Sequence, residues 1–187
     1  MTVDEDARCA SGGREGLCFY RGWVRGVEIV DFFNGSALNA VDAKGRLSVP
    51  AFVRNVIDRQ SDARAIVVGA HEVSACLTAY GRSYARNLYE EMERRRLVEE
   101  GKGAAVEEHY ARARRLFGMT DDVPYDSSGR IVLPPMMRRK GRIEDLALFV
   151  GVGGIVEIWN PKVALAEGDR DLKEIAAYRL EEKGIAL

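Results

Sequence analysis

No stretch of the 187-residue chain approaches the roughly 18 consecutive apolar residues of a membrane-spanning helix, so no such span is expected. The N-terminus carries Asp4, Glu5 and Asp6 and lacks an apolar core followed by small residues. It does not read as a secretory signal, and a cytoplasmic protein is expected. Cysteine is scarce: Cys9, Cys18 and Cys76 are odd in number and stand in no metal or redox spacing. That fits a reducing compartment and argues against a disulfide framework. The two histidines, His71 and His109, are far apart and lack ligand partners, so no metal is expected. Net charge is almost absent, at -1 from 28 Lys and Arg against 29 Asp and Glu. No global basic field therefore draws the monomer to nucleic acid, and any such contact must come from a local patch, multiplied by assembly.

Catalytic groupings are missing too. No His stands where it would serve a Ser or Cys, and no acid pair has a reason to be buried. The run Gly151-Val-Gly153-Gly154 evokes a phosphate-binding loop, but it falls between two short strands instead of opening a helix, and no Lys-Ser or Lys-Thr follows. We expect no enzyme, no cofactor and no small-molecule substrate.

What is present is a core-forming composition, 47% hydrophobic and 30% charged, and an internal repeat. The run Asp42-Ala-Lys-Gly-Arg46-Leu-Ser-Val-Pro50 with Arg54 returns as Asp126-Ser-Ser-Gly-Arg130-Ile-Val-Leu-Pro134 with Arg138, at a constant offset of 84 (126 − 42 and 138 − 54). Downstream, Ile66 to Gly69 matches Leu148 to Gly151, and Val73 to Thr78 matches Ile155 to Asn160, after a loss of two residues in the connecting loop. Each repeat then reads as strand, Gly turn, strand, short helix, strand, Gly turn, strand.

The turn chemistry is local. Asp42 and Asp126 are placed to accept backbone N–H groups two or three residues on. Gly45 and Gly129 supply positive φ. The Asp-to-Arg spacing of four allows two outcomes for Arg46 and Arg130, a brace across the turn or a guanidinium turned outward. Leu47 with Val49, and Ile131 with Leu133, alternate as in a strand with one buried face. Pro50 and Pro134 end those strands and precede short helices, the second capped by Gly141. Ala65 to Val68 and Leu146 to Val150 read as strands closed by Gly, and Gly153-Gly154 as a hairpin turn before Ile155 to Trp159. Between the repeats, Ser83 to Glu100 and Ala104 to Phe117 show helical spacing. Asn160-Pro161 starts another helical stretch, continued by Asp171 to Lys183.

Phe33-Asn-Gly, the two Asp-x-x-x-Arg runs leading into a short strand and Pro, Val150-Gly-Val-Gly and Glu157-Ile-Trp159 together resemble the MraZ family over roughly residues 31 to 175. The resemblance implies an α+β fold, an AbrB/MraZ-like swapped-hairpin β-barrel formed by two internal repeats with flanking helices. The corresponding segments are an N-terminal extension at 1–30, expected to be disordered, a first repeat at 31–80, a helical connector at 81–118, a second repeat at 119–162 and C-terminal helices at 163–187. It also implies a transcriptional regulator that binds double-stranded DNA at short direct repeats in the promoter of the division and cell-wall gene cluster, nucleoid association, and a homo-oligomeric ring such as an octamer. It places Lys44, Arg46 and Arg130 at the DNA, with Asp42, Gly45, Asp126 and Gly129 supporting the turns. Ser128 stands where the first copy has Lys44, so the first loop is expected to carry more phosphate contact. The alternative is a protein-interaction or antitoxin-like module on the same barrel, without specific DNA binding.

Other basic residues read differently. Arg94, Arg95, Arg96, Arg112, Arg114 and Arg115 are interleaved with acids and read as a solvated helix face. Arg138, Arg139, Lys140 and Arg142 are less balanced, and a solvent face outweighs phosphate contact there. Phe149 and Trp159 read as core.

Overall fold

The computed structural model describes residues 32–60, 63–101 and 106–185. The expected N-terminal extension lies outside the described residues, as do Cys9 and Cys18. The first repeat forms β1 (Ser36–Ala40), β2 (Arg46–Ser48), α1 (Ala51–Gln60), β3 (Ala65–Ala70) and β4 (Leu77–Tyr80). Then come the connector helices α2 (Tyr84–Glu100) and α3 (Val106–Phe117). The second repeat supplies β5 (Thr120–Pro124), β6 (Arg130–Val132), α4 (Pro135–Lys140), β7 (Leu146–Gly151) and β8 (Val156–Trp159), followed by α5 (Pro161–Glu167) and α6 (Arg170–Glu182). The class is α+β, with every strand pairing antiparallel.

The repeats are interleaved. A six-stranded sheet runs β1-β7-β8-β4-β3-β5, so β1 of the first repeat lies on β7 of the second and β5 of the second on β3 of the first. β4 and β8 join the halves at the centre, and β2 pairs with β6 in a separate two-stranded ribbon. These pairings do not close into the expected barrel. The big sheet has β1 and β5 as its edges, and its link to β2 is one bridge, Val41 with Leu47, supplemented by the Asn39 side-chain amide donating to the Ser48 carbonyl at 2.6 Å. The ribbon strands are three residues long and lead through Val49 and Leu133 into Pro50 and Pro134, whose missing N–H cannot extend a ladder.

Side chains bind the ribbon to the sheet instead. Leu47, Val49, Ile131 and Leu133 enter one core with Val53 and Ile57 of α1, Met137 of α4, and Ile66, Phe149 and Ile158 of the sheet. Each such burial contributes about 1.5–3 kcal/mol. A second cluster unites Leu38, Leu148, Val150 and Trp159 with Ala164 of α5 and Ala176 and Leu180 of α6. Asn160 caps α5, accepting from Lys162 N–H at 2.9 Å, and Asp169 caps α6, accepting from Leu172 N–H at 2.8 Å. The α2–α3 pair is covered less completely: Met92 is its only described residue classed as buried, while Tyr89, Leu97, Tyr110 and Phe117 are exposed.

Strand register corrects the downstream repeat alignment. Leu38 pairs with Leu148, and Asp122, which stands where Leu38 does in the other repeat, pairs with Val67. Val67, not Ile66, is therefore the counterpart of Leu148. Val67 pairs with Tyr80 and Leu148 with Trp159, which makes the two buried aromatic residues equivalent. Matching the glycines caused the slip: Gly69 lies inside β3, which runs on to Ala70, whereas Gly151 ends β7. The first hairpin turns through His71 to Cys76 without glycine, while the second turns at Gly153, with φ of +87°.

Candidate nucleic-acid interface

Both Asp-x-x-x-Arg runs fold into the same turn. In the first, Asp42 Oδ1 accepts the backbone N–H groups of Lys44 at 2.9 Å and Arg46 at 2.8 Å, and Oδ2 accepts Arg46 Nε at 2.6 Å. In the second, Asp126 Oδ1 accepts from Ser128 N–H at 2.8 Å and Arg130 N–H at 3.0 Å, and Oδ2 accepts Arg130 Nε at 3.0 Å. The Arg N–H at the end of each turn holds its Asp below the ordinary carboxylate value of 3.8, with further lowering from the guanidinium itself. Gly45 and Gly129 take φ of +78° and +73°, the left-handed region that a Cβ penalises.

The two outcomes left open for the arginines coexist. Each Asp braces its Arg, yet both Arg side chains remain 57% exposed. The β2–β6 register pairs Arg46 with Val132, Leu47 with Ile131 and Ser48 with Arg130. Because alternate residues face opposite sides, Leu47 and Ile131 enter the core while Arg46, Ser48, Arg130 and Val132 share the outer face. Arg46 and Arg130 are thereby diagonal neighbours on one ribbon. Lys44 and Ser128 sit exposed at the turns on either side.

The repeats also hold each other's turns. Gly129 C=O accepts Val49 N–H at 2.8 Å, and Gly45 C=O accepts Leu133 N–H at 2.8 Å. The repeated arginines behind the ribbon cross over in the same way; sequence reasoning assigned Arg54 no role and set a solvent face above phosphate contact for Arg138. Arg138 of α4 donates to the carbonyls of Ala43 at 3.3 Å and Glu144 at 3.1 Å. A Cβ on Gly45 would meet its Cδ at 3.1 Å. Arg54 of α1 donates to Val49 C=O at 3.1 Å and lies against Gly129, where a Cβ would meet its Cδ and Nε at 2.6 Å. Each glycine therefore serves twice, for its φ and for the close approach of an arginine. The matching offset of Arg54 and Arg138 was the available signal; the crossing of the repeats was what it could not convey. Tyr125, just before Asp126, donates its hydroxyl to Asp58 of α1, and burial pushes its pKa up to about 12. Val41, also buried, occupies the corresponding place in the first repeat.

Five of the other basic residues singled out in the sequence are paired with acids. Arg94 and Arg95 pair with Glu91, Arg96 with Glu93 and Glu100, and Arg112 with Glu99 at 2.8 Å, as their interleaving with acids predicts. Arg142 pairs with Glu167 at 2.7 Å. His71 uses Nδ1 to accept the N–H groups of Val73 and Ser74 at 3.2 and 2.9 Å, closing the first hairpin. Phe149 and Trp159 are buried.

No family model matches the sequence. Over 139 residues, 74% of this chain and 85% of the relative, it is 33% identical to the transcriptional regulator MraZ of Rhodospirillum rubrum. The chain belongs to the MraZ family. The MraZ of Thermomicrobium roseum is 32% identical over 139 residues, 73% of this chain and 87% of its own length. The MraZ of Cytophaga hutchinsonii, at 28% identity, matches 155 residues, 83% of this chain and 95% of the relative. In this MraZ-family chain the duplicated turns are thus part of a two-repeat unit whose relatives carry the name of transcriptional regulators. Among the described residues, no helix is long and apolar enough to cross a membrane.

Proposed function

We propose that this chain is a transcriptional regulator that binds double-stranded DNA sequence-specifically, and not an enzyme, with Lys44, Arg46 and Arg130 making the contacts. Asp42, Gly45, Asp126 and Gly129 shape the turns that present them. The observation that carries this reading is the joint outward placement of Arg46 and Arg130 on one ribbon, each anchored by an aspartate yet more than half exposed. A two-stranded ribbon fits a major groove about 12 Å wide, where a guanidinium can take guanine O6 and N7 together. The regulatory names of the relatives support the same reading.

One ribbon offers few contacts, each good bidentate base pair giving about 1–3 kcal/mol of discrimination. Affinity then comes from repetition: a homo-oligomeric ring, an octamer for example, carries the ribbons along one rim and engages short direct repeats together. Effective concentration raises avidity by roughly 10² to 10⁴. The target is the promoter of the division and cell-wall gene cluster, and the protein works in the cytoplasm on the nucleoid. The interleaved strand pairing supports reading the fold as a form of the swapped-hairpin barrel.

Arg46→Ala and Arg130→Ala are each expected to weaken retention of a promoter fragment in a gel shift while leaving the circular dichroism spectrum unchanged. Wild-type binding by both variants would refute the assignment. Absent retardation of DNA by the wild-type protein, together with a stoichiometric protein partner in a pull-down, would favour an interaction module instead.

A further inference from the structure

We infer that Val132 reads thymine through its C5-methyl group in the major groove, and that it gives the ribbon a direction along the DNA. The inference rests on the ribbon being the DNA-facing surface. The outer face carries two cross-strand pairs, Arg46 with Val132 and Ser48 with Arg130. Arg46 and Arg130 are counterparts in the two repeats, and Ser48 and Val132 are the other counterpart pair. The face is therefore symmetric in its cations and asymmetric in its neutral side chains.

Val132 is 55% exposed although Ile131 and Leu133 on either side are 1% exposed. Strand geometry sends it to the face opposite theirs, where the core cannot reach it. Directly paired residues place their Cβ atoms about 4.5–5.5 Å apart, so Val132 stands beside Arg46 at a spacing comparable with one or two base steps of about 3.4 Å. An edge contacted by Arg46 thus brings a neighbouring base pair against the valine. Thymine is the base that presents a methyl group in that groove, and an aliphatic side chain matches it where a hydroxyl does not. At the pseudo-equivalent place Ser48 offers a hydroxyl, which donates or accepts and carries no such preference. A palindromic half-site would satisfy the arginines but not this inequality, so the preferred box is asymmetric, with its thymine on the Val132 side.

The test replaces thymines by uracil one at a time within the protected boxes of a promoter fragment, deleting only the methyl group, and measures affinity for wild type, Val132→Ser and Ser48→Ala. Loss of one buried methyl corresponds to about a fourfold weakening. For wild type, one thymine per box should show that loss. Val132→Ser should bind the thymine fragment about fourfold more weakly than wild type and be indifferent to uracil at that position. Ser48→Ala should keep the full sensitivity. Equal uracil sensitivity in wild type and Val132→Ser, or no sensitive thymine, overturns the inference. If Arg46→Ala still weakens binding in that case, the DNA-binding reading stands without it. Failure of wild type to retain any fragment overturns both.

Discussion

The loops at residues 42–46 and 126–130 carry the same bonds between the same atoms, from Asp Oδ1 to two backbone N–H groups and from Asp Oδ2 to the Arg side chain. They differ in what reaches them from the other repeat. Arg138 bonds the backbone of the first loop at Ala43, whereas Arg54 bonds Val49 of its own repeat and touches the second loop only by packing on Gly129. The first loop also presents Lys44 where the second has Ser128. The motif sets the shape of both loops; their unequal bracing comes from outside it, and their unequal charge from a variable position within it.

The strongest way to test the equality of shape is in the core beneath the ribbon. Leu47→Ala and Ile131→Ala remove facing, fully buried side chains, and each should lower unfolding free energy by about 2–5 kcal/mol in urea titrations. A large loss in one and none in the other would mean that the halves are not supported alike. Next in size is the bracing. Arg138→Ala should cost about 1 kcal/mol, and Arg54→Ala roughly half as much. Amide hydrogen exchange locates the effect: removing Arg138 should speed exchange at Lys44 and Arg46, in the opposite repeat, and leave Ser128 and Arg130 unchanged. Faster exchange confined to the second loop would break the crossed arrangement. The smallest effect concerns charge. Lys44→Ser should reduce the slope of log affinity against log salt by about 0.9, and Ser128→Lys should steepen it by about the same amount. Equal slopes in all three proteins would mean that neither position meets a phosphate.

The turns were legible in the sequence because their physics is local. Asp42, Gly45 and Arg46 lie within five consecutive residues, and the Asp carboxylate finds its donors two and four residues on rather than two and three, because the Gly45 N–H is taken by the Asp42 carbonyl. The short helices after Pro50 and Pro134, and the capped helix after Asn160, were legible for the same reason. What repetition could not reveal was which copy each strand would join. The β1–β7 and β3–β5 pairings link residues far apart in the chain, and nothing in Leu38 or Val67 names its partner. The downstream alignment failed at Gly69 because sequence matching weighs residue identity, while strand register follows hydrogen bonds. Arg54 and Arg138 stood out as a matched pair, but their purpose depends on a fold in which the repeats cross.

That crossing bears on how the molecule comes into being. As the polypeptide leaves the ribosome, β1 has no partner strand in the six-stranded sheet among the described residues until β7 is made, and β3 lacks β5 on its outer side. At about 5–20 residues per second the wait for β7 is on the order of ten seconds. During it the nascent first half presents open strand margins and an unfinished apolar face, the surfaces through which chains clump. Neither half is a finished article by itself, so a ribosome that stalls in the connector releases a protein with nothing to close upon.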